Sequence, residues 1–389
     1  DLYAGQPIAL VVAETLEAAM EGARLLNPAY EAQPPRMGLD GGVPYTPKTV
    51  GIGGEPTLEA GDMEAERAQA SRHFGTTVET PAQYHNAMEP HAITAEWKGD
   101  RLEIDTPNQA IGLAKISFAT YLGINPDNVL IRSPFLGGGF GSKALLFGAQ
   151  LLTVLAAKDL DRPVKLALRR DQMYGPVGHR PATRQTLRLD LDDSGEIRAL
   201  EHHTVSAGST FDDFLESASN ASHSVYATRA LRTTHGAVSA DTGTPGPMRA
   251  PGEASGSAAL EVAIDEAAFA MGIDPLAFRL KNYAETDPAS GLNFSSKALR
   301  ECYAGAAEAF GWHDRPLQPR QMRAGRLLKG WGMGTAQFPC PMFQAAAHAT
   351  LHADGRAVVE TSAADMGQGA WTALAQIAAD GLGIDISRL

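Results

Sequence analysis

Asn128-Val129-Leu130-Ile131-Arg132-Ser133-Pro134-Phe135-Leu136-Gly137-Gly138-Gly139-Phe140-Gly141-Ser142-Lys143 runs from a short apolar stretch through a Gly-rich loop towards a longer apolar stretch, Leu145 to Leu160. The first stretch is strand-like over Asn128 to Ile131 and the second has helical length, so the order is strand, loop, helix. Gly137, Gly138, Gly139 and Gly141 allow the backbone to turn at positive φ and to bring exposed amides against a ligand. On glycine content alone, a tight strand-to-helix connection explains the loop equally well. Two nucleotide-binding forms are disfavoured. Ser142 rather than Gly precedes Lys143, unlike a Walker loop, and Ser142 and Ala144 occupy the places of the third glycine in Gly-x-Gly-x-x-Gly.

Downstream of this core, Pro163 to Leu168 reads as the next strand. Thr186 to Leu191 and Ile197 to Val205 flank Asp192-Asp193-Ser194-Gly195 as a hairpin. His348 to Ser362 is a second hairpin, with its turn at Ala353-Asp354-Gly355. Ala258 to Met271 is an apolar helix closed by Gly272, and Pro275 to Ala284 a helix after Asp274. Upstream, Pro7 to Glu14 reads as a buried strand, and Thr15 to Asn27 as a helix with Thr15 as cap. Residues 33–63 are rich in Pro and Gly and read as a linker or long surface crossing. Strands and helices alternate irregularly, which predicts an α+β fold rather than a doubly wound sheet.

The composition is that of an ordinary globular protein: 389 residues, 44% hydrophobic and 20% charged, enough for two or three domains. A net charge of −12 opposes a phosphate backbone and argues against nucleic acid as partner. Cys302 and Cys340 are the only cysteines, which excludes a disulfide framework and any four-cysteine zinc or iron-sulfur site. No apolar run approaches the roughly 18 residues of a membrane span, so the chain reads as soluble. Asp1-Leu2-Tyr3-Ala4-Gly5-Gln6 leads at once into Ile8-Ala9-Leu10-Val11-Val12, and Leu389 follows a helix, so both ends read as cut. His85 and His91 bracket Glu89 but lack a third ligand, and read as structural histidines. His202 and His203, adjacent in a strand, point to opposite faces and cannot chelate together.

Four segments in order carry a resemblance. Asp127 to Leu136 with the glycines resembles the first cofactor-binding segment of the molybdenum hydroxylases, the xanthine dehydrogenase and aldehyde oxidase family. Glu79-Thr80-Pro81-Ala82-Gln83-Tyr84-His85-Asn86-Ala87-Met88-Glu89-Pro90-His91 resembles a stretch of its bacterial large subunits. Met248-Arg249-Ala250-Pro251-Gly252-Glu253 resembles its Arg segment, and Asp365-Met366-Gly367-Gln368-Gly369 its Met-Gly-Gln-Gly segment. The resemblance implies the molybdenum-cofactor-binding large subunit of the bacterial three-subunit type. It implies the end of a small hammerhead-like domain over residues 1–40, a linker at 41–63, a first cofactor-binding domain at 64–305 and the start of a second at 306–389.

It also implies roles. Gly138, Gly139, Phe140 and Gly141 lie over the metal, Arg249 faces the cofactor, and Met366, Gly367, Gln368 and Gly369 hold the pyranopterin and its phosphate. Gln109, in Asp105-Thr106-Pro107-Asn108-Gln109, resembles the glutamine near the metal's oxo ligand, in a stretch longer than the family's. An anionic phosphate suits amides and a forked cation. Purine-oxidising members carry a Glu after the loop's Lys and a Phe two places after the Arg; Ala144 and Pro251 stand there instead, which favours an aldehyde or other small aromatic substrate over xanthine. The resemblance places the catalytic Glu in a Gly-Glu segment beyond Leu389, so no catalytic residue is assigned in this chain.

The cofactor implied is molybdopterin with molybdenum, in the cytosine dinucleotide form, and the implied partners are an iron-sulfur (2Fe-2S) subunit and an FAD subunit. The implied location is cytoplasmic, or periplasmic where a partner subunit carries an export signal. Two alternatives stay open: a hydroxylase of an N-heterocycle such as isoquinoline, nicotinate or a purine, and a non-catalytic cofactor-binding fragment.

Overall fold

The computed structural model describes residues 3–339 and 342–389. Asp1 and Leu2 of the leading stretch, and Cys340, lie outside the described residues. In chain order the elements begin with α1 (Leu16–Leu25), α2 (Gly38–Gly41), β1 (Val43–Tyr45), β2 (Thr57–Ala60), α3 (Met63–Ala68), β3 (Arg72–Thr80), β4 (Ala92–Lys98) and β5 (Arg101–Asp105). There follow α4 (Ile111–Leu122), β6 (Val129–Arg132), α5 (Gly148–Leu160), β7 (Val164–Ala167), β8 (Thr183–Leu191), β9 (Ile197–Gly208), β10 (Ala230–Ser239), α6 (Glu253–Met271), α7 (Pro275–Lys281) and α8 (Leu299–Phe310). Two very short strands, β11 (Arg323–Ala324) and β12 (Leu327–Leu328), then β13 (Ala347–Leu351), β14 (Ala357–Thr361) and α9 (Ala370–Leu382) complete the order. The fold is α+β, as the irregular alternation predicts. No helix among the described residues is long and apolar enough to cross a membrane.

Two sheets carry the site. The larger has the order β1-β10-β9-β8-β3, with β2 also on β10; β9 and β10 run parallel and the other pairs antiparallel. The strand period of two puts Leu187, Leu189 and Leu191 of β8 on one face, with Leu200 and Leu231 from its neighbours. That face buries against Ala259, Leu260, Ala263, Ile264, Ala267 and Ala268 of α6. The small residues let α6 lie close to the sheet. The second sheet has the order β6-β5-β4-β7 and packs Ile93, Leu102, Ile104 and Val129 against Phe118 of α4 and Val154 of α5.

β5 and β6 are parallel, so the loops after them leave from the same edge. The loop after β5 carries Gln109; the loop after β6 is the Gly-rich one. The segment Pro81 to His91 leaves β3 in the larger sheet and enters β4 in the smaller, and so straps the two sheets together.

Several expectations need correction. Pro7 to Glu14 is not a buried strand. Among the described residues it has no ladder partner, Ile8 and Val12 are 53% and 41% exposed, and Val11 lies along α1 at Gly22. An apolar run becomes a strand only where another strand accepts its hydrogen bonds. The stretch 33–63 is not a plain linker either, because β1 and β2 pair antiparallel with β10 and extend the larger sheet. The helix read from Leu145 begins at Gly148, and the one read to Ala284 ends at Lys281. The apolar helix read from Ala258 begins at Glu253, since the Arg segment runs straight into it. Both hairpins form as read, and Thr15 caps α1 by accepting the Ala18 amide.

Candidate functional site

Residues from three connections fix the Gly-rich loop. Glu89 Oε2 accepts the Gly137 amide at 2.8 Å, and Gly137 O accepts the Glu89 amide at 3.0 Å. Lys143, at the far end of the loop, donates from Nζ to Glu89 Oε2 at 2.7 Å and to Glu89 O at 2.9 Å. One carboxylate therefore ties both ends of the loop. The Lys143 side chain is fully buried, and burial pulls its ammonium below the ordinary lysine value against the attraction of Glu89. Gln109 closes the inner side: its Oε1 accepts the Gly141 amide at 3.0 Å and the Lys143 amide at 3.2 Å.

This packing explains two of the glycines. A Cβ on Gly139 would lie 2.1 Å from Gln109 Oε1, and one on Gly141, at φ 112°, would lie 1.8 Å from Pro247 O. Phe140 sits between them at φ 54°, 43% exposed. The amides of Gly138, Gly139 and Phe140 donate to nothing among the described residues.

The Arg segment docks directly on this loop, since the Arg249 amide donates to Phe140 O at 2.8 Å. The Arg249 side chain is exposed and has no ion-pair or hydrogen-bond partner among the described residues. His85 Nε2 donates to Pro247 O at 2.8 Å and His91 Nε2 to Ser142 O at 2.9 Å. Burial pushes the His91 imidazole down to about 4 and lowers His85 as well, so both are neutral donors. Their rings thus serve the two loops, in line with structural histidines. His202 is bonded to Ser222 and Gln185, while His203 meets Thr234 on β10.

Among the described residues, one hydrogen bond joins the Met-Gly-Gln-Gly segment to the site, Gln109 Nε2 to Met366 Sδ at 3.2 Å. Its other polar groups are turned inward. Asp365 accepts the amides of Gly367 and Trp371, and Gln368 accepts the Met366 amide and donates to Ala364 O. The Asp365 carboxyl is held below its ordinary value by these amides, that of Gly367 first. Gly369 sits at φ 77° as the cap of α9. Ala144, whose amide donates to Gly141 O, and Pro251, two residues beyond Arg249, are both half-buried beside the joined loops.

The structure thus brings Gln109, Gly138, Gly139, Phe140, Gly141, Arg249 and Met366 together, and leaves Gly367 and Gln368 bonded within their own turn. The resemblance assigns no role to Lys143 or Glu89; a Lys ending a Gly-rich loop and a Glu in Met-Glu-Pro are the sequence signals that point to them. Among the described residues, three free amides and one unpaired arginine form a donor set that fits a polyanionic heterocycle such as a pterin phosphate. Among the described residues no cluster of His, Cys, Asp or Glu is arranged to hold a metal ion directly.

Comparison with known proteins shows the family. The molybdopterin cofactor-binding domain matches twice, over residues 46–283 and over residues 305–389. The aldehyde oxidoreductase molybdenum-binding subunit of Escherichia coli is 38% identical over 388 residues, which are 99% of this chain and 52% of that protein. The nicotine 6-hydroxylase large subunit of Paenarthrobacter nicotinovorans is 26% identical over 419 residues, covering 98% of this chain and 51% of that protein. Quinoline 2-oxidoreductase from Pseudomonas putida shares the fold with a TM-score of 0.79 at 22% identity, over 97% of this chain and 52% of that one. The aldehyde oxidoreductase from Desulfovibrio gigas gives 0.79 at 20% identity, over 95% and 42%. The chain spans about half the length of the curated relatives it matches. With the family's domain matching more than half of its residues, the chain belongs to the molybdopterin cofactor-binding domain family.

Proposed function

We propose that this chain supplies the cofactor-contacting loops of a molybdenum hydroxylase that oxidises an aldehyde, preferably an aromatic one, to a carboxylic acid with water as the oxygen source. The observation that carries it is the joint between Phe140 O and the Arg249 amide, which docks the residue bearing a guanidinium with no partner among the described residues onto the loop that carries three free amides. When bound, the cofactor's molybdenum supplies water-derived oxygen to the substrate carbon and takes up its electrons.

The chain's own part is binding and orientation. Gly138, Gly139 and Phe140 present amides, Gly141 and Gln109 hold the loop's shape, and Arg249 neutralises phosphate. Met366 and Gly369 shape the opposite side. Gly367 and Gln368 join only by exchanging their bonds to Asp365 and Ala364 for bonds to the cofactor. Ala144 and Pro251 leave a purine without a carboxylate anchor or a stacking ring, which supports the aldehyde; the 38% identity to an aldehyde oxidoreductase subunit supports it too.

On this reading the first cofactor-binding domain is 64–305 with β1 and β2 added, the second begins at 306, and residues 1–40 end a smaller hammerhead-like domain. The cofactor is the cytosine dinucleotide form of molybdopterin. Electrons leave through a 2Fe-2S subunit to an FAD subunit, because two cysteines cannot hold such clusters. The catalytic base comes from outside residues 1–389.

A second reading, hydroxylation of an N-heterocycle, is favoured by the likeness to the nicotine 6-hydroxylase subunit. The full-length protein, co-expressed with its partner subunits, decides between them. We expect stoichiometric molybdenum and a kcat/KM for benzaldehyde at least tenfold above that for quinoline, nicotinate or xanthine. Absence of molybdenum from the assembled complex refutes the proposal, and preference for a heterocycle selects the second reading.

A further inference from the structure

Met248 to Gly252 is an awkward piece of backbone. Ala250 stands at φ 58° and Gly252 at φ 90°, and a non-glycine residue in the left-handed region costs about 1–3 kcal/mol unless its surroundings enforce it. One ion pair supplies that enforcement. Arg180, in the connection before β8, and Glu216, in the connection after β9, meet at 3.2 Å with side chains 7% and 0% exposed.

Arg180 Nη2 donates to three successive carbonyls, Met248 at 2.9 Å, Arg249 at 2.6 Å and Ala250 at 3.4 Å. The Glu216 carboxylate accepts the amides at the two ends of the same stretch, Met248 at 3.3 Å and Gly252 at 3.0 Å. The pair therefore holds the segment from both polarities of its backbone. A buried ion pair is weak evidence for stability, because an apolar pair of the same volume often serves as well. Hydrophobic side chains would not bind carbonyls and amides together, so the polar pair has a geometric task.

Arg180 is itself registered on the strap between the sheets. Its backbone exchanges two hydrogen bonds with Gln83, at 2.9 and 3.1 Å, and its Nη1 donates to Gln83 Oε1 at 3.1 Å. The same strap carries Glu89, which ties both ends of the Gly-rich loop. The two cofactor-facing loops are thus indexed to one segment, Gln83 to His91.

We propose that Arg180 and Glu216 are positioning residues which fix the Arg249 segment against the Gly-rich loop, so that the guanidinium and the free amides face one ligand before it arrives. This rests on the reading of Arg249 as a cofactor contact. The guanidinium fork is required, since a single lysine nitrogen cannot serve at once Glu216 (from Nε), Gln83 (from Nη1) and the three carbonyls (from Nη2).

The test uses the full-length protein with its partner subunits and three variants: Arg180→Lys, Glu216→Gln, and Glu261→Gln as a control in the remote buried pair with Arg279. Amide exchange over residues 248–252 in cofactor-free protein is read beside molybdenum content per folded protein. Both site variants are expected to speed exchange at 248–252 at least tenfold, with β8 and β9 unchanged, and to lower molybdenum content at least fivefold. The control lowers melting temperature without either effect. Unchanged exchange at 248–252 in both site variants overturns the proposal, as does molybdenum loss only in proportion to unfolded protein. Should Arg180→Lys fail to accumulate, the isosteric Glu216→Gln decides alone. Arg249→Ala separates the two claims: if it keeps full molybdenum, the contact reading fails while the exchange result still judges the pair.

Discussion

Gly139 and Gln109 form a couple whose energetics can be worked out from the geometry. The three nearest atoms to a Cβ on Gly139 all belong to the Gln109 side chain, at 2.1, 2.6 and 3.0 Å. Gly139→Ala therefore has to expel that side chain, and with it the bonds to the Gly141 and Lys143 amides. Each enclosed amide left without an acceptor costs about 1–3 kcal/mol. Gln109 is only partly buried, so the lower end applies, about 2 kcal/mol for the two together.

Gln109→Ala loses the same bonds and no others on the loop, and it leaves room for the new methyl. The double variant should then cost little more than Gln109→Ala alone, a coupling of about 2 kcal/mol between contacting residues. Amide exchange of residues 137–145 is the assay. Each single variant should open the loop about 30-fold more often, and the double variant about 30-fold rather than about 1,000-fold. Additive effects would show that Gly139 is required for something other than room for Gln109, and the account of the loop would fail.

Arg249→Ala should lower molybdenum retention of the assembled protein at least tenfold, read by elemental analysis, with the melting temperature nearly unchanged because the side chain is exposed. Ala144→Glu with Pro251→Phe should raise xanthine kcat/KM at least tenfold relative to benzaldehyde; no change in that ratio removes both residues from substrate selection. Acid should destabilise the chain through its buried histidines. His91, His179 and His235 are pushed down to about 4 and His202 to about 3, in each case chiefly by burial. A depressed histidine pKa means that the unfolded chain, near 6.5, binds the proton more readily. Stability is then whole above pH 6.5 and falls by up to about 1.4 kcal/mol per pH unit per histidine as pH drops towards 4. Thermal melts across pH 7.5 to 4.5 check this, and a flat profile would contradict the buried neutral assignment.

What was legible in the sequence was local. The strand, loop and helix from Asn128 to Leu160 follow from apolar run lengths and four glycines, and the β8–β9 hairpin follows from alternation around the Gly-containing turn Asp192-Asp193-Ser194-Gly195. Pairing was not legible. Pro7 to Glu14 has the composition of a strand, but strands are made by partners, and none accepts it among the described residues. Conversely, Val43–Tyr45 and Thr57–Ala60 sit in Pro- and Gly-rich sequence and still pair, because β10 offers a free ladder at Tyr45 to Ala237 and Ala60 to Leu231. Nothing within 33–63 encodes that register. The Gly-rich loop and the Arg segment were visible as motifs, whereas Arg180 and Glu216 stand 69 and 33 residues before Arg249 in featureless sequence.

The same contrast explains why Gln109 looked the least secure of the proposed residues and turns out to be the most connected. Motif reading weighs a residue by its neighbours in sequence, and Thr-Pro-Asn-Gln is longer than the family stretch. The fold weighs it by where β5 ends. β5 and β6 are parallel and adjacent, so a side chain four residues beyond Asp105 comes level with the loop that leaves Arg132. From there Gln109 spends its carbonyl on two amides of the Gly-rich loop and its amide nitrogen on Met366. Among the described residues no other side chain is hydrogen-bonded to both the Gly-rich loop and the Met-Gly-Gln-Gly segment, so a displacement of either one should pass to the other through Gln109. Gln109→Glu tests this directly: the carboxylate still accepts the loop amides but cannot donate to the Met366 sulfur. The loop should keep its protection from exchange while residues 364–369 lose theirs, and loss at both or at neither would break the link.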